Sequence, residues 1–580
     1  MACSWREVLT LQLGHYANFV GAHWWNLQDA ALSYSAGAKL QEHEISSDVL
    51  FREGQTLSGQ ETYTPRLILM DLKGSLNSLR QEGCLYEDDK VDWTVAWQGS
   101  VATYKEEAPV KNPFLQDLNM LEGETVTEAD GSPRGFPDGR GVFQRNVREG
   151  TPKACRKTYQ LEGSVQVWSD YLRTHLHPKT VSVVQQYTHE GESDRLDAFG
   201  QGERLLNEPA YLQDLEDRLH FYAEECDYLQ GFQVLCDIQD GFSGVGAKVT
   251  ELLHDEFSGR GILTWGTTPI IPAERDPVKD MYRLLNTVLG IVHLSTHSSL
   301  FCPLSLNGSL GRRPQPPVSF PHVLYDPTLN YHSSALLATA LESLSVPYRK
   351  RSFPLSMAQL ADALNFSGRK VVTAWASVPF PMGHSHSLPD ILCRSLEAVP
   401  WRPLSSCGEP SASPCFAQSV VLRGISRERQ TSNLLPGISP HSRLHVYETG
   451  EEVLDCYLQM LYPGILSALH VLEGPCKVAA SYPQFFSQSV NRDGFIMEEP
   501  VSFPRVVESI PVLASFQSSA VLRSTLQHLH QEVSQVDVRR WASFFNVGVE
   551  LEDFHEALYE LKNLSDCYKS SFELDETGSD

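Results

Sequence analysis

The chain has 580 residues, 41% of them apolar, with 72 acidic against 47 basic side chains and a formal net charge of −25. That length exceeds what one core supports, so a globular protein of two or more domains is expected. So acidic a surface repels a phosphate backbone, and its basic clusters are short (Arg349-Lys350-Arg351, Arg539-Arg540, scattered residues near 144–157), which excludes nucleic acid as a partner.

Twelve cysteines without a CxxC pair or zinc-type spacing fit reduced, mostly buried thiols. The opening MACSWREVLTLQLG has neither a signal-peptide nor a presequence pattern, and no apolar run reaches the length of a membrane span. Any membrane association is therefore expected to be peripheral or through a partner.

In chain order, Arg6 to Leu13 reads as a buried strand closed by Gly14, and YANFVGAHWWNLQDAAL as the helix after it. Residues 49–63 read as a loop or hairpin. PRLILMDL, Pro65 to Leu72, is an apolar strand ending at Asp71, where an α/β fold places functional carboxylates; the same residue would equally serve as a cap or turn. Residues 104–160 mix Gly, Pro and both charge signs without periodicity, the pattern of a long insertion, largely disordered or loosely packed. VWSDYLRTHLHP then predicts a helix, TVSVVQQY a strand, and Pro209 to Tyr228 a helix.

The stretch Asp227 to Gly246, DYLQGFQVLCDIQDGFSGVG, organises the rest. A β-leaning run, Phe232 to Ile238, enters Gly241, Gly244 and Gly246, and a helical segment AKVTELLHDEF follows. Glycines let the main chain approach an anion, and a helix N-terminus offers unpaired N–H groups and a positive dipole end. A βα turn in any α/β domain also carries glycines for packing alone, and the spacing leaves both readings open. Beyond it, GILTWGTT reads as a strand, DMYRLLNTVLGIVHLSTHS as a helix, and Leu329 to Leu344 as a core helix. This alternation predicts a doubly wound, mainly parallel sheet. A second region begins at RKVVTAWASV, with strands such as SVVLRG between Ser-, Pro- and Cys-rich loops. The expected division is a nucleotide-binding domain over 1–368 with the insertion at 104–160, an α+β domain over 369–510, a helical hairpin over 511–568 with Arg539-Arg540 on its first helix, and an acidic tail over 569–580.

Taken together, REVLTLQLGHYANFVGAHWW, ETYTPRLILMDLKGSL, EECDYLQGFQVLCDIQDGFSGVG, LLNTVLGIVHL, LNYHSSALLATALESL and WASFFNVGVELEDFHEALYELKNLSDCY resemble, in order, the conserved stretches of the tubulin superfamily, and within it the Misato family. The resemblance covers most of the chain outside 104–160 and 385–510 and implies a tubulin-like fold with GTP and Mg2+ as ligands. It places Gly14, His15 and Asn18 at the first phosphate turn, Asp71 on the Mg2+ side, Gly241, Ser243, Gly244 and Gly246 on the phosphate loop, and Asn330 at the guanine base. It also exposes departures. Lys73 stands where tubulins commonly have Glu, Asp240 where they have Gly, and His297 where they have a second base-reading Asn. In the hydrolysis-activating segment, PLSMAQLADALN supplies no acid before Asp362, which reads as out of register. Activating a water needs a carboxylate within hydrogen-bond reach, so no catalytic residue is assigned and tubulin-type hydrolysis is expected to be absent.

The family further implies a non-polymerising protein of mitochondrial distribution, morphology and fusion, in the cytoplasm and peripherally on the mitochondrial outer membrane. Its implied partners are outer-membrane or fusion-machinery proteins, with tubulin, microtubules or chaperonin factors as further candidates. The alternatives are an active GTPase using His15 or Asp240, and a microtubule- or spindle-associated factor.

Overall fold

The computed structural model describes residues 6–32, 44–55, 61–79, 111–120 and 159–569, with short breaks at 190, 192–193, 273–275, 314, 409–413, 433–441, 479 and 500–505. Strand β1 (Glu7–Leu13) turns at Gly14 into helix α1 (His15–Ala31). The hairpin β2 (Phe51–Gln55) and β3 (Glu61–Pro65) leads into β4 (Leu67–Lys73). Then come β5 (Val181–Thr188), α2 (Phe199–Asn207), α3 (Pro209–Glu224), β6 (Leu229–Asp237), α4 (Phe242–Glu256), β7 (Gly261–Thr268), α5 (Pro277–His297) and β8 (Leu300–Ser305). Six of these strands form one parallel sheet in the order β5-β4-β1-β6-β7-β8. Helices cover both faces, so β1, β6 and β7 are buried along their whole length and show no apolar–polar alternation. With β4 on one side of β1 and β6 on the other, the C-terminal end of β1 is the switch point where such sheets open a crevice.

Helix α6 (Asn330–Leu344) is buried from Tyr331 onward because α1 packs on one side of it and a second sheet on the other. After α7 (Met357–Leu364), that sheet is built from β9 (Thr373–Ser377), α8 (Leu388–Arg394), β10 (Arg402–Pro403), β11 (Cys415–Arg423), α9 (Gly450–Leu461) and β12 (Leu466–Leu472). The short pair β13 (Cys476–Lys477) and β14 (Ser509–Ile510) precedes its central strand, β15 (Val512–Ser519). The order is β10-β9-β15-β11-β12, antiparallel except for β11 with β12. Helices α10 (Val521–Ser534) and α11 (Leu551–Asp566) close the chain against α5.

One buried carboxylate links the two sheets through α6. Glu342 Oε1 lies 2.8 Å from Arg349 and 3.3 Å from Arg423 of β11, while its Oε2 accepts from Trp24 Nε1 of α1 at 3.0 Å. Both guanidiniums are buried, so the pairing answers charges that water does not reach.

Four local expectations change. VWSDYLRTHLHP forms a single 3-10 turn, Trp168–Tyr171, capped at its start by Asp170 through the N–H groups of Gln166 and Val167, and it goes no further as a helix because Asn26 takes the N–H of Arg173. Within the expected insertion, residues 113–120 are helical, Phe114 is buried, and Tyr159 donates to Asp117 at 2.8 Å. The rest of that insertion, and the acidic tail beyond Lys569, lie outside the described residues. The stretch expected as a helical hairpin opens with β15, whose Val512–Ser519 run is wholly buried between β9 and β11. Arg539 and Arg540 sit on an exposed 3-10 turn, Val538–Trp541, between the closing helices rather than on the first of them.

Candidate functional site

At the switch point the sheet presents three carboxylates. Asp71 lies next to last in the buried part of β4, Asp237 ends β6, and Asp240 follows three residues later. Helices α1 and α4 begin beside them, and each leaves its first N–H groups needing acceptors.

For α1 the acceptor comes from another strand. Asp237 Oδ2 accepts from Tyr16 N and Oδ1 from Ala17 N, both at 2.8 Å, and Thr267 Oγ1 at the end of β7 donates to Oδ1 at 2.7 Å. Gly14 makes the approach possible. Its φ is +113°, and a Cβ there would stand 2.4 Å from Asp237 Oδ2. Burial first, then the neighbouring Asp240 charge, raises the Asp237 carboxyl well above the usual range, against the pull of its three donors.

For α4 the acceptors are local. Asp240 Oδ1 accepts from Phe242 N at 2.9 Å and its carbonyl from Ser243 N, while Gly241 O accepts from Gly244 N and Val245 N. Ser243 Oγ donates to Asp240 O at 2.6 Å. Burial, partly offset by the Phe242 N–H and added to by the Asp197 and Asp71 charges, pushes half-buried Asp240 up to about 7. Lys73, which follows Asp71 by two residues and could have offset this charge, is exposed to solvent.

The glycines serve packing. A Cβ on Gly244 would stand 2.0 Å from Phe199 O, on Gly241 2.7 Å from Leu196, and on Gly246 2.4 Å from Cys236 Sγ. They let α4 lie against α2 and β6.

Asp71 is enclosed on every side. Its Oδ2 meets His15 Nδ1 at 3.0 Å, Asn18 Nδ2 at 3.1 Å and Trp168 Nε1 at 2.8 Å, and its Oδ1 accepts from Leu72 N at 2.8 Å. Burial alone would raise it, but His15 and these donors together bring it below the usual carboxylate range. The His15 ring lies on His189, centroids 3.6 Å apart. Asn18 Oδ1 is buried without a hydrogen bond among the described residues.

Asn330 opens α6, half-buried. Its neighbour Ser333 accepts the Tyr16 hydroxyl of α1 at 2.9 Å, which places Asn330 on the same side of the sheet as Gly14 and Asp71. His297 is elsewhere. It ends α5 beside His254 near the end of α4, opposite the glycine turn, so it does not face this site. The asparagine at the end of β8 is Asn307, whose amide holds Pro269 O and Ser305 Oγ.

The segment PLSMAQLADALN forms α7, capped by Ser356 and Gln359. Met357 N donates to Gln230 Oε1 at the start of β6, which puts α7 at the far end of the sheet. Ala358, Gln359 and Asp362 face solvent. Asp362 therefore shares the outward face with Ala358, one turn on.

Sequence reasoning missed Asp237, Thr267, Trp168, His189 and Asn286. Asp237 had the signal that singled out Asp71, an acid closing a buried strand, but the glycines after it drew the reading. Asn286, polar in the middle of an apolar helix, bonds Phe199 N, Asp197 O and Gln239 O and so pins the glycine turn.

The chain matches two family models, a Misato Segment II tubulin-like domain over residues 6–120 and a tubulin domain over residues 159–350. Tubulin-like domains are in general nucleotide-binding folds. The chain is 55% identical to human protein misato homolog 1, covering 99% of this chain and 100% of that one, and 56% identical to the cattle protein over 98% and 99%. Similarity to the Drosophila melanogaster protein misato is 29% over 98% of this chain and 99% of that one.

Proposed function

The chain belongs to the Misato family of tubulin-like proteins, and from that premise we propose a non-polymerising tubulin-like organiser of mitochondria. On this reading it regulates mitochondrial distribution, morphology and fusion from the cytosolic face of the outer membrane. Protein partners at the outer membrane or in the fusion machinery hold it there. Among the described residues no helix is long and apolar enough to cross a membrane, so attachment by a partner is the simpler supposition.

The observation that carries the non-polymerising part is the donor set at the switch point. A GTP-driven assembly cycle needs N–H groups free for phosphates and a carboxylate open to Mg2+. Here Tyr16 N and Ala17 N bond Asp237, Phe242 N bonds Asp240, and Asp71 is enclosed by His15, Asn18 and Trp168. Three carboxyl groups stand where phosphate oxygens would have to come, and their oxygens already take the donors that a phosphate would need. GTP with Mg2+ does not fit this arrangement, and no catalytic step is assigned to it.

The test has two arms. Purified full-length protein at high concentration with GTP and Mg2+ should stay monodisperse and release no phosphate. Cells depleted of it should show clumped or fragmented mitochondria, restored by the wild-type chain. GTP-dependent filaments, steady phosphate release, or normal mitochondria after depletion would each overturn the reading.

A further inference from the structure

Both phosphate-facing helix ends carry a carboxylate, but only one of these carboxylates comes from a different strand. Asp240 belongs to the same turn as α4. Asp237 ends β6 and reaches across to cap α1 in trans, with Thr267 of β7 holding it from the other side. Three donors, two from α1 and one from β7, converge on one buried group, as donors do around a bound oxyanion. The glycine that such a site needs at its mouth is also in place. Gly14 has a left-handed φ, and its missing Cβ leaves the space that the carboxylate oxygen fills.

We propose that Asp237 is an internal substitute for phosphate, a side chain whose carboxyl oxygens permanently fill the seat at the N-terminus of α1 and let this fold stand without a nucleotide. The seat keeps its donors and its glycine; what has changed is the origin of the acceptor oxygens. A free phosphate is lost by dilution, whereas a tethered carboxylate is always present at high effective concentration. The fold is therefore complete as the chain leaves folding, with no ligand to gain or lose, as a constitutive scaffold requires. Asp237 is a positioning residue here. It touches no reacting atom and acts by fixing the first turn of α1, from which His15 and Asn18 hold Asp71.

The inference rests on the switch-point reading above but fails separately from it. A chain that bound GTP tightly without turnover or assembly would sink the inference and leave the mitochondrial reading intact. A chain that assembled without binding nucleotide would do the reverse.

The test is thermal unfolding of full-length wild type and Asp237→Ser, scanned against formate, inorganic phosphate and GTP, with sodium chloride at matched ionic strength as reference. Formate matches the deleted carboxylate in size. The serine variant is expected to melt several degrees below wild type in chloride. Formate and phosphate should then raise its midpoint with the logarithm of their concentration, as a ligand of the native state does, and leave wild type at its chloride value. Equal responses of the two proteins, no loss of stability in the variant, or a GTP-induced rise in wild type would each overturn the proposal. Should Asp237→Ser yield no folded protein, the wild-type scan decides: indifference to GTP and phosphate supports the filled seat, and stabilisation by either refutes it.

Discussion

Replacing Glu342 by Gln should be among the most damaging changes outside the switch point. The substitution keeps the volume and leaves two buried guanidiniums, 2% and 5% exposed, facing a neutral amide. Removing one partner of a buried ion pair costs about 3–5 kcal/mol, because the charge left behind is neither paired nor hydrated. Here the arginines keep other acceptors. Arg349 retains Gln28 Oε1 and the Glu342 carbonyl, and Arg423 retains the carbonyls of Gly474 and Pro475. The lower end, about 3 kcal/mol, is therefore expected, which at an m-value of about 3 kcal/mol per M moves a urea midpoint down by roughly 1 M. Equilibrium urea unfolding followed by tryptophan fluorescence reads this directly, since Trp24 donates to the same carboxylate. Adding Arg423→Met to the variant should recover part of the loss by removing one orphaned charge. A change below about 1 kcal/mol, or no recovery, would mean that the pairing does not hold the two sheets together.

Gly244→Ala should destabilise nucleotide-free protein by about 1–3 kcal/mol or more through overpacking, because its methyl would meet Phe199 O at 2.0 Å; an unchanged melting temperature would contradict the packing role. Asp240→Asn should stabilise the protein more at pH 8 than at pH 5. Burial pushes the folded carboxyl up to about 7 from its ordinary value of 3.8, so its contribution is complete below about pH 4 and is lost progressively as pH rises from there through 7. Partial exposure holds the gain to about 1–2 kcal/mol, and a gain larger at pH 5 than at pH 8 would reverse the sign of the argument. Trp168→Phe removes a donor from buried Asp71 and should cost about 1.5–3 kcal/mol, read as a lower urea midpoint; a neutral result would show that His15 and Asn18 suffice.

Much of the parallel sheet could be read from the sequence because its strands are uniform apolar runs ending in polar residues. GILTWGTT is the example, and β7 spans Gly261–Thr268. The helical reading of VWSDYLRTHLHP failed where side chains overrode periodicity. Asn26, far away in the chain, takes the Arg173 N–H that a continuing helix would have used. The glycine turn could be located but not interpreted, since the same residues serve an anion or a crossing helix. Only the distances from Gly244 to Phe199 and from Gly14 to Asp237 separate the two. Asp237 escaped notice because its partners, Tyr16 and Ala17, lie 221 and 220 residues away in the chain. Capping across that separation has no local pattern.

A switch point filled by the chain's own carboxyl groups is tested most directly by the nucleotide content of the purified full-length protein, measured by denaturing it, separating the released nucleotides, and titrating labelled GTP into the native chain with and without Mg2+. No co-purified guanine nucleotide and no saturable binding at micromolar GTP are expected. Stoichiometric GTP or GDP in the extract, lost on Asn330→Ala, would show that the seat is open to phosphate and would contradict a filled one.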